Sequence, residues 1–249
     1  MSKNINKLEK YIFIFIVSFV LTVNFNSNSE GARKYRSSKV KKTEVEVSYY
    51  YDVRKHNTLN LLTAFELPED FNVFGFIDFH GEQDKSADRW GSSRYFMEYR
   101  LGRPISNNYR WLKGLGWEVE YNDFNGAPNH LVRLGLTYKH KIGFRQKIPF
   151  FNISGWLQWR FHPFQTKGGS DSQASLIYHI NLSESIFLNG FADVNYYEDR
   201  SAKLVMEPQL NYILNKSFDI VLEYRFSDIE ERDPTLDGYG WALGLKYKF

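Results

Sequence analysis

Cysteine is absent from this sequence, methionine occurs three times, and seven prolines are spread over 249 residues. The chain therefore has no disulfide framework, no thiolate metal centre and no thiol nucleophile, and it can cross an oxidising compartment unaltered. Long apolar runs are equally scarce. The one sustained run, Tyr11 to Val23, follows Lys3, Lys7 and Lys10. At about 13 residues it falls short of the roughly 20 a spanning helix needs and has the proportions of a signal-peptide core. Glycine-rich phosphate loops of either familiar pattern are missing too, which leaves no sequence mark of a nucleotide-hydrolysing or dinucleotide-binding enzyme. Mean hydropathy is −0.48 although aromatics make up 18% of the chain. That pairing excludes an ordinary helical membrane protein, but it suits a barrel in which every second strand residue is polar.

Charge divides the chain. Of 32 basic residues nine precede Val45, against three of the 29 acidic ones, so the remainder carries net −3. The stretch Arg33 to Lys42 holds Arg33, Lys34, Arg36, Lys39, Lys41 and Lys42 with little apolar content, as a solvated tail does. These features predict a signal peptide over 1–29 with cleavage after Ser29, a basic, disordered periplasmic tail over 30–44, and a barrel over 45–249.

What the chain has in abundance is alternation. From Gly238 to Phe249, Tyr239, Trp241, Leu243, Leu245, Tyr247 and Phe249 share one parity, and Gly240, Ala242, Gly244, Lys246 and Lys248 share the other. A strand that is greasy on one face and small or charged on the other, ending at a terminal Phe, is what an outer-membrane barrel requires. Segments of this kind recur at 45–53, 58–66, 73–80, 94–103, 114–122, 131–140, 150–160, 173–181, 185–195, 202–212, 218–227 and 238–249, separated by Gly, Pro, Asn and Asp. Twelve strands of about 9 to 11 residues fit a tilted span. Polar connections 81–93, 161–172 and 228–237 then fall outside the cell, and 67–72, 181–184 and 213–217 fall in the periplasm. The fold class is all-β, an antiparallel up-and-down transmembrane barrel of about 12 strands.

Period two assigns the faces. Val119 and Tyr121, Val132, Leu134, Leu136 and Tyr138, and Ile220, Leu222, Tyr224 and Phe226 are expected to meet lipid. The inward register holds Tyr50, Asp52, Phe74, Phe76, Asp78, His80, Glu98, Arg100, Glu118, Glu120, Arg133, Lys139, Trp156, Gln158, Arg160, Phe191, Asp193, Glu207, Glu223 and Arg225. A barrel of about twelve strands is wider than one that side chains fill and narrower than a general porin. A slot lined by Phe, Trp, acids and bases can stack a flat ring and hydrogen-bond its substituents. The competing role for each charge is to pair across neighbouring strands and plug the lumen. The candidate solute-binding residues are Phe74, Phe76, Asp78, Glu98, Arg100, Arg133, Trp156, Arg160, Asp193 and Arg225.

Catalysis finds less support. A nucleophile needs a base within hydrogen-bond reach, and none of His56, His80, His130, His140, His162 and His179 lies two residues from a Ser on a strand face. No enzymatic activity and no cofactor are expected. Asp78 with His80, and the loop acids Asp228, Glu230, Glu231 and Asp233, have the chemistry to hold a cation, yet acid-rich outer loops are more simply hydrated surface, and no metal is expected.

The residues also resemble a known family. FNVFGFIDFHG (Phe71 to Gly81), FMEYRLG (Phe96 to Gly102) and the final GYGWALGLKYKF look like the Tsx-type nucleoside-specific outer-membrane channels. Phe74, Gly75, Phe76 and Asp78 match that family's aromatic–Gly–aromatic–x–Asp strand, and Phe96, Met97, Glu98 and Arg100 match its second motif. The resemblance implies a monomeric, narrow, twelve-stranded channel that passes nucleosides by diffusion, with Asp78, Glu98, Arg100, Phe74 and Phe76 in its lumen. The basic tail and the short, charged loop 81–93 depart from the pattern. The expectation is thus a nucleoside-like channel in a Gram-negative-type outer membrane. Its partners would be a small-molecule solute, outer-membrane lipid and, through the C-terminal strand ending at Phe249, the barrel-assembly machinery, with no nucleic acid. An oligosaccharide-specific porin, a barrel enzyme and a plugged structural or adhesion barrel are the alternatives.

Overall fold

A computed structural model describes residues 42–84, 94–105, 112–125, 130–143, 153–167, 171–198, 201–228 and 238–249. The expected signal peptide and nearly all of the basic tail lie outside these residues, as do most of the long loops. Twelve strands form one closed antiparallel ring. They are β1 (Lys42–Asp52), β2 (His56–Glu66), β3 (Asn72–Glu82), β4 (Arg94–Pro104), β5 (Leu115–Phe124), β6 (Leu131–Gly143), β7 (Ser154–Gln165), β8 (Ser172–Asn181), β9 (Ile186–Tyr196), β10 (Lys203–Ile213), β11 (Phe218–Ser227) and β12 (Gly238–Lys248). Each strand pairs with its sequence neighbours, and the ring shuts where β1 meets β12, from Glu46 opposite Lys248 to Asp52 opposite Ala242. Closure has a physical reason: in hydrocarbon an unpaired N–H or C=O costs several kcal/mol, so a spanning sheet can have no free edge.

Because the strand number is even, β1 begins and β12 ends at the same rim. The described turns on that rim, 67–71, 182–185 and 214–217, are short, as periplasmic turns are. They are closed by local bonds such as Leu182 N–H to Ile186 O at 2.9 Å and Leu214 N–H to Phe218 O at 2.9 Å.

The outer wall is apolar. Leu134, Leu136, Tyr138, Ile220 and Leu222 are exposed on it, with Trp241, Leu243 and Leu245 of β12. Tyr51, Tyr196 and Tyr239 ring one rim and Tyr212, Tyr247 and Phe249 the other, the positions at which amphipathic rings straddle a membrane interface. The contrast between faces is steep: Leu136 is 51% exposed while Glu120, on the neighbouring strand, is 1% exposed. Greasy outside and charged inside is the arrangement of a barrel in a bilayer, and this chain is an outer-membrane protein.

Two prolines sit where a ladder can spare an N–H. Pairing between β10 and β11 skips Glu207 and Pro208 between Met206/Phe226 and Gln209/Glu223. Pairing between β6 and β7 shifts register between Leu134/Phe164 and Leu136/Phe161, which places a bulge at His162 and Pro163. This second irregularity corrects the sequence reading. Strand β7 was expected to end at Arg160 with a loop from 161, whereas it runs to Gln165. The bulge absorbs one residue and flips parity, so Arg160, His162 and Gln165 all face inward although their numbers do not alternate. Strand β1 likewise begins at Lys42, ahead of the expected boundary at Val45.

A charge on the lipid face is the direct test of this wall. Leu136→Arg, near the middle of β6, is expected to destabilise the folded barrel in lipid vesicles by about 2–4 kcal/mol, read from urea titrations of the compact, heat-modifiable form. A wild-type midpoint in that variant would place Leu136 away from hydrocarbon.

Candidate functional site

Residues directly opposite one another on adjacent strands share a face, and this rule builds the lumen. Phe74, Phe76 and Asp78 of β3 stand opposite Arg100, Glu98 and Phe96 of β4. Arg100 stands opposite Glu120 of β5, and Glu120 opposite Arg133 of β6. Across β7 and β8, Trp156 faces His179 and Arg160 faces Ser175. On β8 and β9, Ser175 faces Asp193. All ten candidate residues named from the sequence, Phe74, Phe76, Asp78, Glu98, Arg100, Arg133, Trp156, Arg160, Asp193 and Arg225, line a single cavity of about 1730 Å³. Its lining runs from Lys141 and Lys248 at the periplasmic rim to Arg54, Asn195 and Ser227 at the other.

The charges fall into two networks on different walls. On the β4–β7 wall Glu120 is the hub. Arg133 Nη1 donates to its Oε1 at 2.6 Å, Asn122 Nδ2 donates to the same oxygen at 2.9 Å, and Arg100 Nε donates to Oε2 at 3.1 Å. Arg100 also pairs with Glu98, and Arg133 Nε donates to Gln165 Oε1 at 3.2 Å. Arg160 and His162 both approach Glu118 Oε1 at 3.4 Å. Around β11 and β1, Asp52 receives Arg54 through its backbone N–H at 2.8 Å and Nη2 at 2.7 Å. Arg225 pairs with Glu223, lies 3.7 Å from Asp52 and donates to Thr58 Oγ1 at 2.9 Å.

Thr58 also meets His80 Nδ1 at 3.2 Å, a hydroxyl–imidazole pair that strand counting along one chain segment could not reveal. It resembles a nucleophile beside a base, but Thr58 is wholly buried and its oxygen is committed to Arg225. The pair therefore orients the arginine rather than meeting a solute.

Aromatic rings occupy the wall between the networks. Phe76 lies 5.7 Å from Phe96 and 6.1 Å from Phe74, and the Arg100 guanidinium sits 5.3 Å from the Phe74 centroid. A second group, missed in part by the sequence reading, gathers on β7–β9. Trp156 and His179 are nearly parallel at 6.2 Å and 15°, His179 is 5.0 Å from Phe187, and Lys139 Nζ lies 3.8 Å from the Trp156 centroid. His179 and Phe187 carried a signal, the inward parity of β8 and β9, but an imidazole and a phenyl there look like ordinary strand residues until cross-strand pairing brings them beside Trp156. His162 was missed because it fell in an expected loop.

No family model matches the chain, and no curated protein sequence matches it. Among solved structures it is similar to a KdgM porin (11% identity, 83% of this chain and 99% of that one, TM-score 0.49). It is also similar to a KdgM porin in complex with disordered oligogalacturonate (10%, 83% and 99%, 0.49) and to the Acinetobacter baumannii outer-membrane protein Omp33 (9%, 86% and 100%, 0.43). At such scores these likenesses decide nothing about solute. The chain is an outer-membrane β-barrel. That statement rests on the closed ring, the apolar wall and the lined lumen described above.

Glu120 is the keystone of the first network, because its removal leaves Arg100 and Arg133 buried without their main partner. Glu120→Ala is expected to cost about 3–5 kcal/mol of stability, with Glu120→Gln intermediate, measured by urea unfolding in vesicles. An unchanged midpoint for the alanine variant would show that the arginines are solvated by lumen water instead.

Proposed function

We propose that this barrel passes small, ring-bearing polar solutes by diffusion, and that short neutral oligosaccharides are its principal class. The single observation that carries this reading is the lumen's composition. Two separated aromatic groups, Phe74/Phe76/Phe96 and Trp156/His179/Phe187, line one cavity with a continuous supply of donors and acceptors. An aromatic face binds the apolar face of a sugar ring as it does a base, each stacked ring contributing on the order of 1–3 kcal/mol in the case of bases. Two such groups on different walls, β3–β4 and β7–β9, offer faces to more rings than a single group does. Weak binding at several points lets a solute move on, whereas one tight site would block flow.

Charge gives polyanions no advantage: among the described residues ten acids and eleven bases line the cavity, so the lumen is close to neutral. A second reading, nucleoside passage, is favoured by one feature: the Phe74/Phe76/Phe96 group is flanked by Asp78, Glu98 and Arg100, the residues that resemble the Tsx-type channels. There the rings would stack a base and the charged groups would take its edge and ribose hydroxyls.

Liposome swelling with neutral di- and trisaccharides, nucleosides and uronate oligomers of similar size separates these readings. Neutral saccharides are expected to enter fastest and uronates slowest. Phe76→Ala is expected to slow ring-bearing solutes several-fold while leaving ion conductance within about twofold, since one stacked ring is worth on the order of 1–3 kcal/mol. Fastest entry of nucleosides would favour the second reading, and equal rates for all three would remove specificity.

A further inference from the structure

One corner of the lumen wall is not explained by solute passage. Glu118 and Glu120 lie two residues apart on β5 and so share its inner face. Gly135 of β6 stands opposite Glu118, and beyond it the bulge at Pro163 on β7 aims His162 back across β6. A Cβ at position 135 would lie 2.5 Å from His162 Cδ2 and 2.3 Å from Phe161 O. The glycine thus leaves the room through which the imidazole reaches Glu118. Oxygens of both glutamates and a ring nitrogen of His162 all lie within 4.8 Å of one another, and all three residues are buried.

Their hydrogen bonding is incomplete. Among the described residues neither ring nitrogen of His162 nor Oε1 of Glu118 has a hydrogen-bond partner, and His162 is 0% exposed. Buried polar atoms in native proteins are nearly always satisfied, and a group left over signals a water, an ion or a functional role. The separation is that of a loose ion pair, and it also matches two ligands of one metal ion. His162 Nε2 and Glu118 Oε1 are 3.4 Å apart, without hydrogen-bond geometry, but two ligands of one zinc with bonds of about 2.0–2.2 Å sit roughly that far apart on a tetrahedron.

We propose that Glu118, Glu120 and His162 form a zinc-binding site in the barrel wall, with water in the fourth position. Imidazole with two carboxylates selects a borderline ion such as Zn²⁺ over Mg²⁺ or Ca²⁺, which take oxygen alone. Glu98, Glu118, Glu120 and Asp193 outnumber Arg100, Arg133 and Arg160 by one, so a zinc whose fourth ligand is hydroxide rather than water leaves the corner neutral. Arg133, Asn122 and Arg100 already hold the two oxygens of Glu120, so the metal shares that carboxylate with them, and Arg160 is the competitor for Glu118. Its Nε and Nη1 lack hydrogen-bond acceptors among the described residues, so it is loosely held and yields Glu118 to the metal. Bound zinc ties β5 to β7 across β6 and braces the wall at the β7 bulge.

The test is calorimetric titration of Zn²⁺ into the purified, untagged, EDTA-stripped barrel in detergent micelles, each variant first shown to be folded by its heat-modifiable migration. One zinc per barrel is expected, with no comparable heat from Mg²⁺. His162→Gln should abolish this uptake, and Gly135→Ala, which removes no ligand but displaces the imidazole, should weaken it at least about tenfold, as loss of ligand support does. Co²⁺ in place of zinc should give the visible absorption of a tetrahedral site in the wild type only. No zinc uptake by the wild type, or equal affinity in wild type and His162→Gln, would overturn the assignment. Wild-type affinity in Gly135→Ala would overturn the role given to the glycine.

Discussion

Every feature of this molecule answers to one constraint: in hydrocarbon a peptide group has no partner except another peptide group. The twelve strands satisfy it pairwise, and the junction of β1 with β12 satisfies it for the last two edges. Once the ring is shut, side chains have only two destinations, lipid or lumen, and period two distributes them. The exceptions obey the same constraint. Pro208 stands where the β10–β11 ladder is interrupted, and Pro163 stands at the β7 bulge, so neither leaves a ladder donor unmet that an ordinary residue would have supplied.

The lumen is where that economy is tested, because a closed ring of this width encloses more charge than it can leave exposed. Glu120 and Glu223 are each 1% exposed; Glu120 is held by arginines of the neighbouring strands and Glu223 by Arg225 of its own strand. A buried charge without a partner costs several kcal/mol, so the networks stiffen the walls as they line them. Aromatic rings between the networks need no partner and remain able to meet a solute. The division of labour in the lumen is therefore between charges that mainly hold the wall and rings, with the charges beside them, that can hold what passes. Glu118 and His162 are one place, among the described residues, where the wall's own bonding is unfinished.

Legibility followed the range of the interaction that placed each residue. The final strand declares its faces in its own residues, and the inward placing of Phe74, Asp78, Glu98, Arg133 and Asp193 followed from alternation on single strands. The β7 segment escaped this logic at one point. Arg160 and His162 keep the period, Pro163 breaks it, and Gln165 resumes it on the opposite count. A bulge is defined by two residues facing one on a partner strand, and no single strand carries that information. The same holds for Thr58 with His80 and for Trp156 with His179, whose closeness depends on register between strands.

By itself, then, the sequence determined the class of fold, the approximate strand number and which side chains face water, because these depend on local period and on the hydropathy of each strand's two faces. Only the tertiary structure decided which acids hold which arginines, where the two aromatic groups form, and that His162 reaches Glu118 over Gly135. Those depend on register, and register is set by the ring as a whole, since closing twelve strands fixes the stagger of each one against the next.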